Sequence, residues 1–270
     1  MSLKTSQGKD LPVSAIVSAT REEAIALLNG QLGAVLLEST ASYVAPFFWE
    51  TPVEEGGVRL RNGSMFFLNC GEGTFGVTAD HVYQGYLEAK ATLPNLSCQL
   101  FGLAITPEQR LIARHTSLDI ATFRITDEEV RRIGRRVHQP NWPPQPPEIG
   151  QGVMFAGFPS VERIINDPNE VNFGIYFGSP LVTAVSDRNI SCVFERQYWV
   201  DILGAGLPDA DYDMGGVSGA PLFILNREPI MSWRLGGVVT EFRADLEILL
   251  ATRGDFILTN GQITSRGLPM

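Results

Sequence analysis

Gln139-Pro-Asn-Trp-Pro-Pro-Gln-Pro-Pro147 places five prolines in nine positions, a density that no central strand or helix tolerates. Such a segment runs extended and semi-rigid, and it divides the chain into two stretches. Before it, β-favouring runs occur at Val35–Leu37, Tyr43–Trp49, Met65–Leu68, Phe75–Thr78, Cys98–Ile105, Leu111–Arg114 and Asp119–Ile125, with turn signals such as Asn62-Gly63 and Gly71-Glu72-Gly73 between them. After it come Val153–Phe158, Val161–Ile165, Val171–Phe177, Leu181–Val185, Ser191–Glu195, Pro221–Leu225 and Leu235–Thr240. Short strands at this spacing predict a small barrel or sandwich in each stretch. The 27 glycines and 17 prolines favour the same short elements joined by tight turns. One helix is expected at about 20–29, where the capping box Thr20-Arg-Glu-Glu23 precedes Ala24, Ile25, Leu27 and Leu28, and Asn29-Gly30 ends the pattern. Residues 126–137 are charged, with a helical turn or two. The expected organisation is an arm and helix in 1–42, a first β unit in 43–138, the linker in 139–149, and a second β unit with a C-terminal segment in 150–270.

Charge and cysteine usage exclude several classes of function. The balance of 21 basic against 30 acidic residues gives a net charge of −9, which disfavours a general binder of nucleic-acid phosphates. The basic run Arg131–Arg136 is the local exception, and near Glu128 and Glu129 it reads as a solvated junction. Cys70, Cys98 and Cys192 are odd in number and widely spaced, and no CxxC or Cys/His cluster indicates a metal or a disulfide framework. Reduced thiols in a cytoplasmic protein are expected. No signal peptide is legible at Met1–Asp10, and apolar runs such as Ala34–Leu37 are too short for a membrane span.

Chemistry concentrates in Gly215-Gly216-Val217-Ser218-Gly219-Ala220-Pro221, ahead of the apolar run Leu222–Leu225. Glycines on both sides of a serine allow positive φ and close approach of other groups, and Pro221 fixes the exit. Such a bend is able to aim the N–H groups of Gly216 and Ser218 at one point, as an oxyanion site beside a nucleophile. By itself it also fits a plain glycine-rich turn. A serine nucleophile needs a base, and the chain holds three histidines. His138 borders the linker and is expected to be exposed, and His115 reads as a loop or strand-end residue. His81 follows the apolar strand Phe75–Thr78 directly, and a strand end gives the rigid mount that a general base requires. Asp119, in Ser117-Leu118-Asp119-Ile120-Ala121, has apolar neighbours that predict a desolvated carboxylate in need of a partner. Each residue alone also fits a structural role: a core histidine bonded to a carbonyl, or a capping aspartate. An α/β-hydrolase is a rival for a serine among glycines. Ala220 breaks its GxSxG pattern, and no histidine follows Ser218 as that fold requires. A metal hydrolase built on His115 and Asp119 lacks a third ligand.

Taken together, Thr78-Ala79-Asp80-His81-Val82, Asp119-Ile120-Ala121 and Gly216-Val217-Ser218-Gly219-Ala220-Pro221 resemble the three signature motifs of the chymotrypsin-like serine peptidases. The resemblance extends to Gly63-Ser64-Met65-Phe66-Phe67, Gly157-Phe158-Pro159 and Leu235-Gly236-Gly237-Val238-Val239, and it covers roughly residues 43–250. It implies an all-β fold of two six-stranded antiparallel barrels plus a short N-terminal helix, with the active site in the cleft between them. His81 would be general base and acid, Asp119 its orienter, Ser218 the nucleophile, and the Gly216 and Ser218 N–H groups the oxyanion hole. Thr240-Glu241-Phe242 would pair with substrate backbone, with Phe242 narrowing the pocket. Tyr212 stands where trypsin-type members carry the aspartate that selects Lys or Arg, and Asp213 is next to it. Val82 replaces a cysteine of extracellular members. Val217 replaces the aspartate that pairs with a newly cleaved amino terminus, which leaves open what holds the oxyanion turn. The substrate implied is a polypeptide, with no metal or other cofactor, no membrane and no nucleic acid. The N-terminal arm is a candidate contact for a partner protein. The rival from another class is a catalytically idle domain of this fold that serves as a binding scaffold.

Overall fold

The computed structural model describes residues 21–52, 58–167, 170–199, 207–209, 211–226 and 231–267. The expected arm, up to residue 20, lies outside them. Two helices open the described chain, α1 (Arg21–Leu28) and α2 (Gln31–Ala41). The first matches the expected helix. The second replaces the strand expected at Val35–Leu37: Gly33, Leu36 and Thr40 share one buried helical face, and the rest of the apolar run is half-buried or exposed.

The first sheet contains β1 (Val44–Pro52), β2 (Val58–Asn69), β3 (Thr74–Thr78), β4 (Cys98–Leu100), β5 (Leu103–Ile105), β6 (Leu111–His115) and β7 (Ile120–Arg124), in the order β5-β4-β1-β2-β3-β7-β6. Between β3 and β4 runs α3 (Asp80–Thr92), and one-turn α4 (Pro107–Arg110) joins β5 to β6. The second sheet follows the short helix α5 (Asp127–Arg132) and the proline-rich segment. It contains β8 (Val153–Gly157), β11 (Tyr176–Gly178), β12 (Leu181–Val185), β13 (Asn189–Val193), β14 (Pro221–Asn226), β15 (Ser232–Arg243) and β16 (Ile248–Arg253), in the order β11-β8-β14-β15-β16-β13-β12. A separate hairpin, β9 (Arg163–Asp167) with β10 (Glu170–Phe173), projects between β8 and β11. All strand pairs within these sheets are antiparallel.

Each sheet is curled, and the chain itself explains why. β11 and β12 lie at opposite edges of the second sheet, yet only Ser179 and Pro180 separate them. The edges of the first sheet, β5 and β6, are likewise joined across α4 alone. A sheet whose two edges are consecutive in the chain must roll towards closure. The result is all-β with a double half-barrel, built from seven strands per sheet where six were expected.

Residues alternate between two cores along the central strands, which is why these strands read as unbroken apolar runs. On β2, Met65 and Phe67 point into a core inside the first sheet with Phe47, Tyr86 and Phe123. Phe66 and Leu68 point the other way, into a core between the sheets with Met154, Ala156, Phe158 and Phe223. On β8 and β14, Val153, Phe155, Leu222 and Ile224 fill the interior of the second sheet. Leu36 of α2 closes the inter-sheet core from outside. After β16 the chain returns to the first sheet, where the Gly261 carbonyl accepts from Thr122 Oγ1 at 2.6 Å and Gly261 packs against Phe75. Trp142 of the linker donates to the Ile257 carbonyl at 3.0 Å, so linker and C-terminal segment fasten each other.

His138 was expected at the surface and is 7% exposed. Its backbone pairs with Phe67 and Asn69, and its ring packs edge-on against Tyr43 and Phe223 in the inter-sheet core. Burial pushes its imidazole down to about 4, and Nε2 has no hydrogen-bond partner. The folded state therefore holds it neutral. The stability this confers is lost as pH falls from the ordinary 6.5 towards about 4. Urea unfolding of wild type and His138→Phe between pH 7 and pH 4 should differ in slope, wild type losing up to about 3 kcal/mol more. Parallel profiles would assign the acid sensitivity elsewhere. The three cysteines are buried, and burial raises all three thiols, Cys70 and Cys192 to about 12. None is poised as a nucleophile. No helix among the described residues is long and apolar enough to cross a membrane.

Candidate active site

His81 does not end a strand, as its position after Phe75–Thr78 suggested. It is the second residue of α3, which buries Val82, Tyr83 and Tyr86 and leaves the His81 side chain half exposed. Asp80, the first residue of the helix, is 1% exposed and receives Arg114 of β6 in a two-pronged contact, Nε to Oδ1 at 2.7 Å and Nη2 to Oδ2 at 2.9 Å. Arg114 also lies over the Tyr83 ring. The first turn of α3 is thereby tied to the strand that leads to Asp119.

Asp119 occupies the loop between β6 and β7 with φ of 54°, a left-handed conformation that aspartate adopts more readily than most residues. The preceding carbonyl, of Leu118, accepts from Thr252 Oγ1 of β16 at 2.7 Å, so the second sheet also fixes this loop. Both carboxylate oxygens of Asp119 engage His81: Oδ1 accepts from the backbone N–H at 2.8 Å and Oδ2 lies 2.7 Å from Nδ1. With the carboxylate ionised, the ring proton sits on Nδ1 and Nε2 keeps a free lone pair. The hydrogen bond from Asp119 raises the His81 pKa above the ordinary 6.5, opposed by burial and reinforced by the charges of Asp119, Asp80 and Glu241.

Ser218 follows a tight turn in which the Val217 N–H donates to the Met214 carbonyl at 3.1 Å. Gly216 takes the third position with φ of +103°, the place where such a turn requires glycine. Gly219, at φ +88°, lies so close to β2 that a Cβ would meet the Ser64 carbonyl oxygen at 2.0 Å. The Ser218 hydroxyl donates to the Thr240 carbonyl at 3.1 Å. Among the described residues, neither the Gly216 N–H nor the Ser218 N–H has an acceptor. Around them the carbonyls are engaged: Gly215 accepts from the Ser160 N–H at 2.6 Å, Gly216 from Ser64 Oγ at 2.9 Å, and Ser218 from the Ser64 N–H at 2.8 Å.

A cavity of about 710 Å³ is lined by His81, Asp119 and Ser218. Tyr212, Asp213, Thr240, Glu241 and Phe242, the expected substrate contacts, line it as well. Comparison with protein-family models and with curated proteins found no match for this chain. β15 pairs with β14 up to Val238 and Val239 bonds with Gly219 and Ala220, so the edge that faces the cavity begins at Thr240, whose carbonyl holds the Ser218 hydroxyl. Tyr212 donates to Glu162 Oε1 at 2.8 Å and packs with Tyr176 and Trp199, and Phe242 meets Phe194 edge-on. Asp213 Oδ1 accepts from the Gly215 N–H at 2.7 Å and braces the turn from its solvent side. Asp211 and Met214 also line the cavity and were not singled out by the sequence. His115 caps β6 beside Ser117, whose hydroxyl lies 3.3 Å from Nδ1.

Proposed function

We propose that the chain is a serine endopeptidase of chymotrypsin-like type. The observation that carries this reading is one cavity lined by an aspartate-bound histidine and a serine, where the N–H groups of the serine and of Gly216 in its turn have no acceptor among the described residues. Ser218 Oγ attacks the carbonyl carbon of a peptide bond while His81 Nε2 takes its proton. The oxygen that becomes negative is received by the Gly216 and Ser218 N–H groups, each such donor contributing about 3–4 kcal/mol to the transition state. His81 then passes its proton to the leaving amine, and water releases the acyl group by the reverse sequence. Asp119 holds the tautomer and offsets the charge on the imidazole. Substrate backbone lies along Thr240–Phe242, and the buried, inert thiols fit a cytoplasmic setting.

The alternative, an idle scaffold of the same fold, is favoured by one contact: the Ser218 hydroxyl donates to Thr240 and not to His81. A peptide-library digest separates the two readings. Cleavage by wild type that is absent from Ser218→Ala supports the peptidase, and equal inertness of both supports the scaffold. Because His81 acts as a neutral base and its pKa is raised, kcat/KM should fall on the acid side with a midpoint above pH 6.5. A midpoint at or below 6.5 would mean that the Asp119 contact does not govern the base.

A further inference from the structure

Val217 removes the acid by which related peptidases lock the oxyanion turn, and its side chain is buried in the second-sheet core. What holds the turn instead is visible on the other sheet. Ser64 lies in β2, fully buried, just before the apolar residues Met65–Leu68. Its hydroxyl accepts from the Phe158 N–H at 3.1 Å and donates to the Gly216 carbonyl at 2.9 Å. Its N–H donates to the Ser218 carbonyl at 2.8 Å, and its own carbonyl accepts from Thr78 Oγ1 at 2.6 Å. Thus one serine grips the carbonyls of both residues whose N–H groups have no acceptor among the described residues.

The geometry points to Ser64 as the positioning residue of the oxyanion turn, set from the first sheet by neutral hydrogen bonds and requiring no cut in the chain. This rests on Ser218 being the nucleophile. Its physical basis is peptide planarity. The Gly215 carbonyl is held by the Ser160 N–H, and in a trans peptide the Gly216 N–H must point the opposite way. Fixing the Gly216 and Ser218 carbonyls leaves little freedom in the one peptide between them, which carries the Ser218 N–H. A hydroxyl with both its donor and acceptor roles filled and no access to water is costly to replace by a methyl, because two backbone groups then lose their partner. Since Ser64 and Gly216 belong to different sheets, docking of the sheets and formation of the oxyanion site become one event.

The test compares wild type, Ser64→Ala and the near-isosteric Ser64→Cys, whose thiol is a weak donor. Two readouts are taken: the rate of Ser218 labelling by a fluorophosphonate, and amide hydrogen exchange at Val217, Gly219 and Ala220. Ser64→Ala should label about 10–100-fold more slowly, a part of the loss expected for a whole oxyanion donor. Ser64→Cys should fall between. Exchange should rise in the turn and stay unchanged in β3 and β16, and the pH midpoint of labelling should not move. Labelling within twofold of wild type with unchanged exchange would overturn the assignment. Failure of wild type to label would instead overturn the peptidase reading. The exchange comparison would still decide whether Ser64 holds the turn. If Ser64→Ala does not fold, Ser64→Cys carries both readouts.

Discussion

Asp119→Asn is expected to lower kcat/KM by about 10⁴-fold, the cost of presenting the wrong histidine tautomer. Asp119 Oδ1 is already committed to the His81 backbone N–H, so an asparagine must place its oxygen there. Its amide N–H then faces Nδ1, which is forced to accept, and the ring proton moves to Nε2. That nitrogen is the one that must be free to take the serine proton. Asparagine also tolerates the left-handed backbone at this position, so the melting temperature should change little. The contact that raises the His81 pKa is lost as well, and the residual activity should titrate at lower pH than wild type. Initial rates against pH, with thermal unfolding as control, check both effects. Activity within tenfold of wild type would mean that Asp119 does not orient the base.

The largest expected effect on stability comes from Arg114→Ala. Asp80 is almost wholly buried, and removing the guanidinium strands its charge inside the protein. Breaking a buried pair from one side costs about 3–5 kcal/mol. The Arg114 side chain is 29% exposed, so water reaches the site and the lower end of that range is expected. For a chain of this size about 3 kcal/mol corresponds to a fall of roughly 6–12 °C in Tm. Adding Asp80→Asn to Arg114→Ala should recover much of the loss, because the stranded charge disappears. If the double variant is no more stable than the single one, the cost lies in lost packing on Tyr83 and not in charge. Activity should fall along with stability in the single variant, since the pair anchors the turn that carries His81.

The site was legible where chemistry is encoded in a few adjacent residues. The glycines around Ser218 announce left-handed backbone, and Gly216 and Gly219 adopt it. The strands were legible as apolar runs because each central strand feeds two cores. Helix α2 reads as a strand for the same reason: Ala34–Leu37 is an apolar run too, and only its environment shows that Leu36 alone is deeply buried. Helix α3 leaves little trace in the sequence because Val82, Tyr83, Gly85 and Tyr86 are poor helix formers, and it stands by burying Tyr83 and Tyr86 in the first-sheet core. β16 was not singled out, and His138 beside a polar linker gave no sign of its buried ring. The loop-setting residues left the faintest trace. Ser64, Thr78, Thr122 and Thr252 are buried hydroxyls that donate to carbonyls of other segments, all but Thr78 reaching across more than a hundred residues. Their signal is a small polar residue in or beside an apolar strand, where an unpaired hydroxyl would be costly. That signal says a partner exists without saying which.

Fluorophosphonate labelling of the intact protein, followed by mass measurement and peptide mapping, addresses the nucleophile most directly. Wild type should gain one phosphonyl group, mapped to Ser218, at a rate that rises with pH through a midpoint above 6.5. Ser218→Ala should gain none, and His81→Ala should label far more slowly. A folded wild-type protein that stays unlabelled across this pH range, or one labelled at a residue other than Ser218, would contradict the assignment of Ser218, His81 and Asp119 as a catalytic unit.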